Sequence, residues 1–172
     1  PYCVDTSPFN VDEAARLRFR ERTRQDLGAG ADDCVILFSG KLIPKKRPDL
    51  LLDAVRDLSR HAPRPITIVF LGDGELRSAL EAQSRMLSGV HVEFAGFVNQ
   101  RLLSPYYHAA DLLVLPSQHS ETWGLVVNEA LAHGLPCVVS TAVGCAEDLV
   151  EPGETGEIFD VGSASGLVAA LE

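Results

Sequence analysis

The sequence predicts an α/β fold: a doubly wound parallel sheet of about six strands with helices on both faces. Two observations carry this expectation. Short apolar runs rich in β-branched residues recur along the chain without in–out alternation, which is how strands covered on both faces read. Amphipathic, helix-spaced segments lie between them, and that strand–helix alternation implies crossovers that leave the strands parallel.

Taken in order, a helix is expected near 12–27, and "CVILFSG" (34–40) is the first strand, closed by Gly40. A helix over 48–61 sets Leu50, Leu51, Ala54, Val55 and Leu58 at core spacing. "ITIVFLG" (66–72) and "HVEFAG" (91–96) are the next strands, followed by helices near 75–87 and 100–110. "DLLVLPS" (111–117), a helix over 124–134, "PCVVST" (136–141) and a short helix near 145–150 come next. "GEIFD" (156–160) reads as an edge strand, with a last helix from 163. Right-handed crossovers bring all strand C-termini to one edge, where ligands of such sheets bind.

A length of 172 residues suits one domain, 1–172, with its own core, and no internal repeat or second domain is visible. The formal charge of −9, from 15 basic and 24 acidic residues, argues against nonspecific binding to nucleic acid or anionic membrane. Cys3, Cys34, Cys137 and Cys145 form no Cys-x-x-Cys pair and no zinc spacing, so reduced thiols, a cytoplasmic location and neither metal nor cofactor are expected. No apolar run approaches the roughly 18 residues of a membrane span. The chain opens on "PYCVDTSPFN" without an initiator Met and stops inside the helix-like "SASGLVAALE", so it reads as a piece of a longer protein.

Three loops at the strand ends carry unusual residues. In "SGKLIPKKRPDL", Lys41, Lys45, Lys46 and Arg47 gather four positive charges within seven residues of an acidic protein, a pattern suited to a diphosphate. In "FLGDGELRSAL", Gly72-Asp73-Gly74 makes a tight strand-to-helix turn but lacks the third glycine of a dinucleotide fingerprint. In "SETWGLVVNEALAHGL", a helix starting near Gly124 would offer the amides of Trp123, Gly124, Leu125 and Val126 to an anion. Glu121 precedes that terminus, and Glu129 lies five residues past Gly124, about 7.5 Å along the axis at about 1.5 Å per residue. Leu125, Val126, Ala130, Leu131 and Ala132 leave Glu129 little polar face. Glu121 reads equally as an N-cap or first-turn acid favoured by the helix dipole, and Glu129 as a solvent-facing helix residue, the latter the weaker reading. The other reading is that the vicinal hydroxyls of a ribose and a sugar ring partner the two acids.

These stretches together resemble the C-terminal, donor-binding domain of retaining GT-B glycosyltransferases of the glycosyl transferases group 1 (family 4) type, a Rossmann-like half of that fold. "ETWGLVVNE" is similar to the family's Glu-x7-Glu motif. "GKLIPKKRPDLLLDAV", "LGDGELRSALE", "VEFAGFV", "ADLLVLPS", "EALAHGLPCVVST" and "GETGEIFD" follow in the family's order. The resemblance implies that Glu129 holds the ribose hydroxyls, Glu121 the transferred sugar, and the amides of Trp123, Gly124 and Leu125 the diphosphate. It implies that Lys41 and Lys46 neutralise the leaving group, that Gly96, Phe97 and Val98 lie by the base, and that Gly40 and Gly74 allow close backbone approach. Lys41 stands where the family usually has Arg, and Arg47 where Gly is common; Glu147 and Asp148 also depart from the usual pattern.

The implied reaction transfers a sugar from a UDP-, GDP- or ADP-linked donor to an acceptor with retention and without a metal. The acceptor would be bound by an N-terminal domain which, with a C-terminal crossing helix, is absent from this chain; the full enzyme would be cytoplasmic or peripheral to the membrane. A sugar-nucleotide epimerase of the same architecture and a non-catalytic nucleotide-binding module are the alternatives. A dehydrogenase is disfavoured by the missing third glycine.

Overall fold

The computed structural model describes Phe9, residues 11–119 and residues 121–172; Cys3 and most of "PYCVDTSPFN" lie outside them. Among the described residues, six strands form one sheet: β1 (Cys34–Ser39), β2 (Ile66–Leu71), β3 (Val90–Gly96), β4 (Leu112–Leu115), β5 (Cys137–Ser140) and β6 (Gly156–Phe159). They lie in the order β3-β2-β1-β4-β5-β6, and every pairing is parallel. The chain winds outward from β1 to β3, then returns to β4 and winds the other way. The reversal between β1 and β4 opens a crevice beyond the strand C-termini.

Among the described residues, seven α-helices connect and flank the strands: α1 (Glu13–Asp26), α2 (Pro48–Leu58), α3 (Arg77–Ser84), α4 (Ser104–Ala109), α5 (Leu125–Ala132), α6 (Ala146–Leu149) and α7 (Ala164–Leu171). Successive strand residues point to opposite faces, so the sheet divides the core in two. Leu37, Leu113 and Val139 pack with Tyr107, Val127 and Ala130 on the α4–α5 side. Ile36, Phe38 and Ile68 pack with Leu51, Val55, Leu80 and Leu167 beneath α2, α3 and α7. Burial on both faces explains why β1, β2, β4 and β5 carry no alternation; the edge strand β3 does alternate, with His91 exposed between Val90 and Val92.

The expected helix over 100–110 is two pieces, a 3-10 turn at Gln100–Leu102 and then α4. Pro105 lies in the first turn of α4, where its fixed φ and missing N–H are tolerated; inside a continuous helix it would break the ladder.

Helix α1 is fastened by arginines rather than by an apolar stripe. Arg24 is buried and spans from Asp111 Oδ2 (2.7 Å) to the carbonyls of Ala109 (2.9 Å) and Asp33 (3.1 Å). Arg20 takes Asp111 Oδ1 at 2.5 Å and the carbonyl of Ala110 at 3.0 Å. Beside this anchor His108 is buried, and its Nε2 has no hydrogen-bond partner among the described residues. Burial, then the neighbouring His133 and Arg16, lowers its pKa to about 4. The unfolded chain therefore takes up a proton below its ordinary value of about 6.5, while the folded chain does not until about 4. Stability is lost as pH falls through that window. The urea midpoint should fall between pH 7 and pH 4.5, and fall less in His108→Phe; equal losses would contradict this.

Among the described residues Arg47 is the one non-glycine at positive φ, at φ 50° and ψ 47°. It caps the 3-10 turn Pro44–Lys46 and pairs with Asp49 through Nη2 at 2.9 Å. This is a backbone conformation that favours glycine. Arg47→Ala and Arg47→Gly both remove the ion pair, but only glycine relieves the left-handed strain of about 1–2 kcal/mol. The glycine variant should therefore be the more stable of the two in thermal unfolding.

Candidate functional site

The site is built at the C-terminal edge of β1, β3 and β4 and at the start of α5. After Ser39 the chain leaves the sheet through a loop tied to its neighbour: Gly40 N donates to Leu71 O (2.8 Å), Leu42 N to Asp73 O and Leu76 N to Leu42 O (both 3.0 Å). A Cβ on Gly74 would stand 2.4 Å from Leu42 O. Glycine is thus required at 74 by the packing of these two loops, which holds Gly40 and Lys41 in place.

The four cations of this loop do not form one cluster. Lys41 is exposed and lines a cavity of about 330 Å³ with Ser39, Gly72, Phe97, Val98 and Leu103. Phe97 is 83% exposed, an unusual state for a phenyl ring and one that offers a stacking surface. Lys45 and Lys46 line a second cavity of about 350 Å³ with Glu121, Trp123, Gly124 and Leu125. Arg47 turns away to Asp49. The 3-10 turn and the left-handed Arg47 send successive side chains in different directions.

The start of α5 is shaped by Gly124, at φ 95°, where a Cβ would stand 2.9 Å from Val143 Cγ1. Its first intrahelical bond is Val127 N to Gly124 O (2.8 Å), so the amides of Gly124, Leu125 and Val126 precede the ladder. Among the described residues no side chain caps this terminus. The preceding loop is held by Gly144 N to Glu121 O and Cys145 N to Trp123 O, both 3.0 Å. A Cβ on Gly144 would lie 2.1 Å from Thr122 O, so this glycine is what lets the two loops meet. The Trp123 indole N–H donates to Asn128 Oδ1 at 2.7 Å.

Both glutamates already have protein partners, which corrects the expectation that ligand hydroxyls alone would satisfy them. Glu121 accepts from Lys46 Nζ in a short ion pair and from Ser117 Oγ at 3.1 Å. Glu129 is 7% exposed and accepts from the Tyr107 hydroxyl at 2.7 Å, with Gln100 Nε2 at a long 3.5 Å. Ser39, Gln100, Tyr107, Ser117 and Gly144 all escaped the sequence reading. Tyr107 reads as a core aromatic in "PYYHAAD", and Gly144 has only its place between two apolar residues to mark it.

Chemically, the edge combines a helix start without a side-chain cap and two lysines for an anion, two carboxylates for polyol hydroxyls, and an exposed phenyl ring beside an apolar cavity. Among the described residues no group of three His, Cys, Asp or Glu side chains comes together to hold a metal ion. Burial pushes the Cys137 thiol up to about 12 and the Cys145 thiol up to about 11, so both stay protonated and unreactive. No helix among the described residues is long and apolar enough to cross a membrane.

The sequence profile of the family described as "Glycosyl transferases group 1" matches residues 19–172. A D-inositol 3-phosphate glycosyltransferase of Xylanimonas cellulosilytica is 36% identical over 160 residues, 90% of this chain and 36% of that protein. Among solved structures, Anabaena Alr3699/HepE in complex with UDP-glucose superposes with a TM-score of 0.79 at 28% identity, covering 96% of this chain and 44% of that one. Sucrose-phosphate synthase from Thermosynechococcus elongatus gives 0.78 at 28% identity, covering 99% and 41%. The chain spans less than half the length of each of these proteins.

Proposed function

The chain belongs to the glycosyl transferases group 1 family, and from that premise we propose that the edge between β1 and α5 binds the nucleoside diphosphate sugar of a retaining glycosyl transfer. One observation carries the reading: the uncapped start of α5 lies between Glu121, paired with Lys46, and the buried Glu129 on the same helix. In this proposal the amides at Trp123, Gly124 and Leu125 take the diphosphate, Lys41 and Lys46 neutralise it, Glu129 takes the ribose diol, and Glu121 the sugar. Phe97 and Val98 flank the base, and Gly40 leaves room for the backbone to approach.

The chemical demand is charge. As the glycosidic C–O bond breaks, negative charge grows on the departing phosphate and positive charge on the anomeric carbon. Preorganised donors aimed at the developing anion are the kind whose loss lowers rate by about 10²–10³ each. Lys46 is neutralised by Glu121 here; an arriving diphosphate would compete for its charge and release Glu121 to sugar hydroxyls. The leaving phosphate would then accept the acceptor's proton as the new C–O bond forms on the same face. Relatives more than twice as long support placing the acceptor on a second domain, so this chain by itself is proposed to bind donor without turning it over.

UDP is the first nucleotide to test, since HepE is seen with UDP-glucose. In a thermal-shift panel of UDP, GDP, ADP and their glucose conjugates, at least one should raise the midpoint with concentration, by about 2.7 kcal/mol of stabilisation at 100 times Kd. Glu121→Ala should mainly erase the difference between nucleotide and nucleotide-sugar. A panel in which nothing shifts the midpoint would sink the assignment.

A further inference from the structure

If Glu129 holds a ribose, something must aim a carboxylate that is almost wholly buried. A glutamate on an eight-residue helix has three side-chain torsions to fix before it can meet two hydroxyls at once. The structure holds one partner at short range: the Tyr107 hydroxyl, 2.7 Å from Oε2. Gln100 approaches the other oxygen, Oε1, only at 3.5 Å. One carboxylate oxygen is therefore engaged by protein and the other is left with most of its accepting capacity.

Tyr107 is itself immobilised. It is 1% exposed, its ring stacks on His133 at 4.9 Å between centroids, and its hydroxyl lies 3.4 Å from Ser39 Oγ, a residue lining the cavity beside Lys41. His133 is locked in turn, Nδ1 donating to the Glu129 carbonyl (2.6 Å) and Nε2 accepting from Ser104 Oγ (3.0 Å). Burial, then the Glu129 carboxylate, holds the Tyr107 hydroxyl well above its ordinary range, so it remains a donor throughout neutral pH.

We propose that Tyr107 is the positioning residue of the donor site: its hydroxyl pins one oxygen of Glu129 and so sets the orientation in which the other meets a ribose diol. This rests on the ribose reading of Glu129. It makes Tyr107 a determinant of the preference for ribonucleotide over deoxyribonucleotide without any contact to the nucleotide.

The test is the ratio of affinities for UDP and 2′-deoxy-UDP, measured by titration calorimetry. A hydrogen bond to a charged group gives the wild type a preference for UDP of about tenfold or more. Tyr107→Phe keeps the ring and its stacking, and should shrink the preference to about threefold or less while affinity for 2′-deoxy-UDP stays within about twofold. A tyrosine acting only in packing would lower the unfolding midpoint and leave the ratio untouched, and that result overturns the proposal. Glu129→Asp keeps the charge but withdraws it from Tyr107, and should show the same shrinkage; a ratio retained there overturns the proposal even if Tyr107→Phe folds poorly. Glu129→Gln separates the two levels. If it abolishes the preference and Tyr107→Phe does not, the positioning role alone fails. If the wild type has no preference, or Glu129→Gln keeps it, the ribose reading fails and the proposal with it.

Discussion

Asp111→Ala destabilises the chain by about 3–5 kcal/mol, the usual result of removing one partner of a buried ion pair. Arg24, with a side chain 6% exposed, would be left with an uncompensated guanidinium, and the Val35 N–H would lose its acceptor at 2.8 Å. Arg20, with a side chain 36% exposed, can turn to water, so most of the loss comes from Arg24. Helix α1 would lose its lock on α4 and β1. Burial alone would raise the Asp111 carboxyl, but the Val35 N–H and the two arginines together bring it below the ordinary carboxylate range. A depressed pKa means stability present above the ordinary value of about 3.9 and lost as pH falls through the folded one. Urea unfolding at pH 7 measures the effect, and a loss under 1 kcal/mol would show that α1 is held by other contacts.

Glu129→Ala should weaken UDP binding by about 10- to 100-fold, the value of one or two hydrogen bonds to a charged acceptor. The same change strands the Tyr107 hydroxyl in the core, at about 1–3 kcal/mol for an unsatisfied buried group. Loss of a buried carboxylate's desolvation offsets part of that, so the unfolding midpoint should move less than the affinity does. Calorimetry at matched temperature separates the two, and UDP affinity unchanged in a folded variant would contradict the ribose assignment.

The inner strands were legible because a sheet buried on both faces writes itself as unbroken apolar runs. The order β3-β2-β1-β4-β5-β6 was not, since crossovers of fixed hand decide which face a helix covers and not which strands are neighbours. Pro105 marked the break in the fourth helix, but periodicity alone joined the two pieces. The glutamates, the glycine at 124 and the cations at 41 and 46 stood out as chemistry out of place in their surroundings. Their partners did not. Tyr107 lies 22 residues from Glu129 and Glu121 lies 75 from Lys46, and a side chain's direction in three dimensions has no signature at such separations. The cation run 41–47 shows the same limit: four adjacent charges look like one site, until a 3-10 turn and one left-handed residue distribute them. Arg24 and Asp111 left no trace at all, since a helix rich in arginine reads as a solvated face.

The central claim is a location, so the most direct measurement is one that reports where a nucleotide binds. Hydrogen exchange of the chain with and without saturating UDP, GDP or ADP should show protection confined to 40–46, 96–98 and 121–129, for at least one of the three. Protection centred instead on the face between α1 and the far end of α5, around Arg16, His108 and Leu135, would contradict it. So would protection nowhere in the molecule.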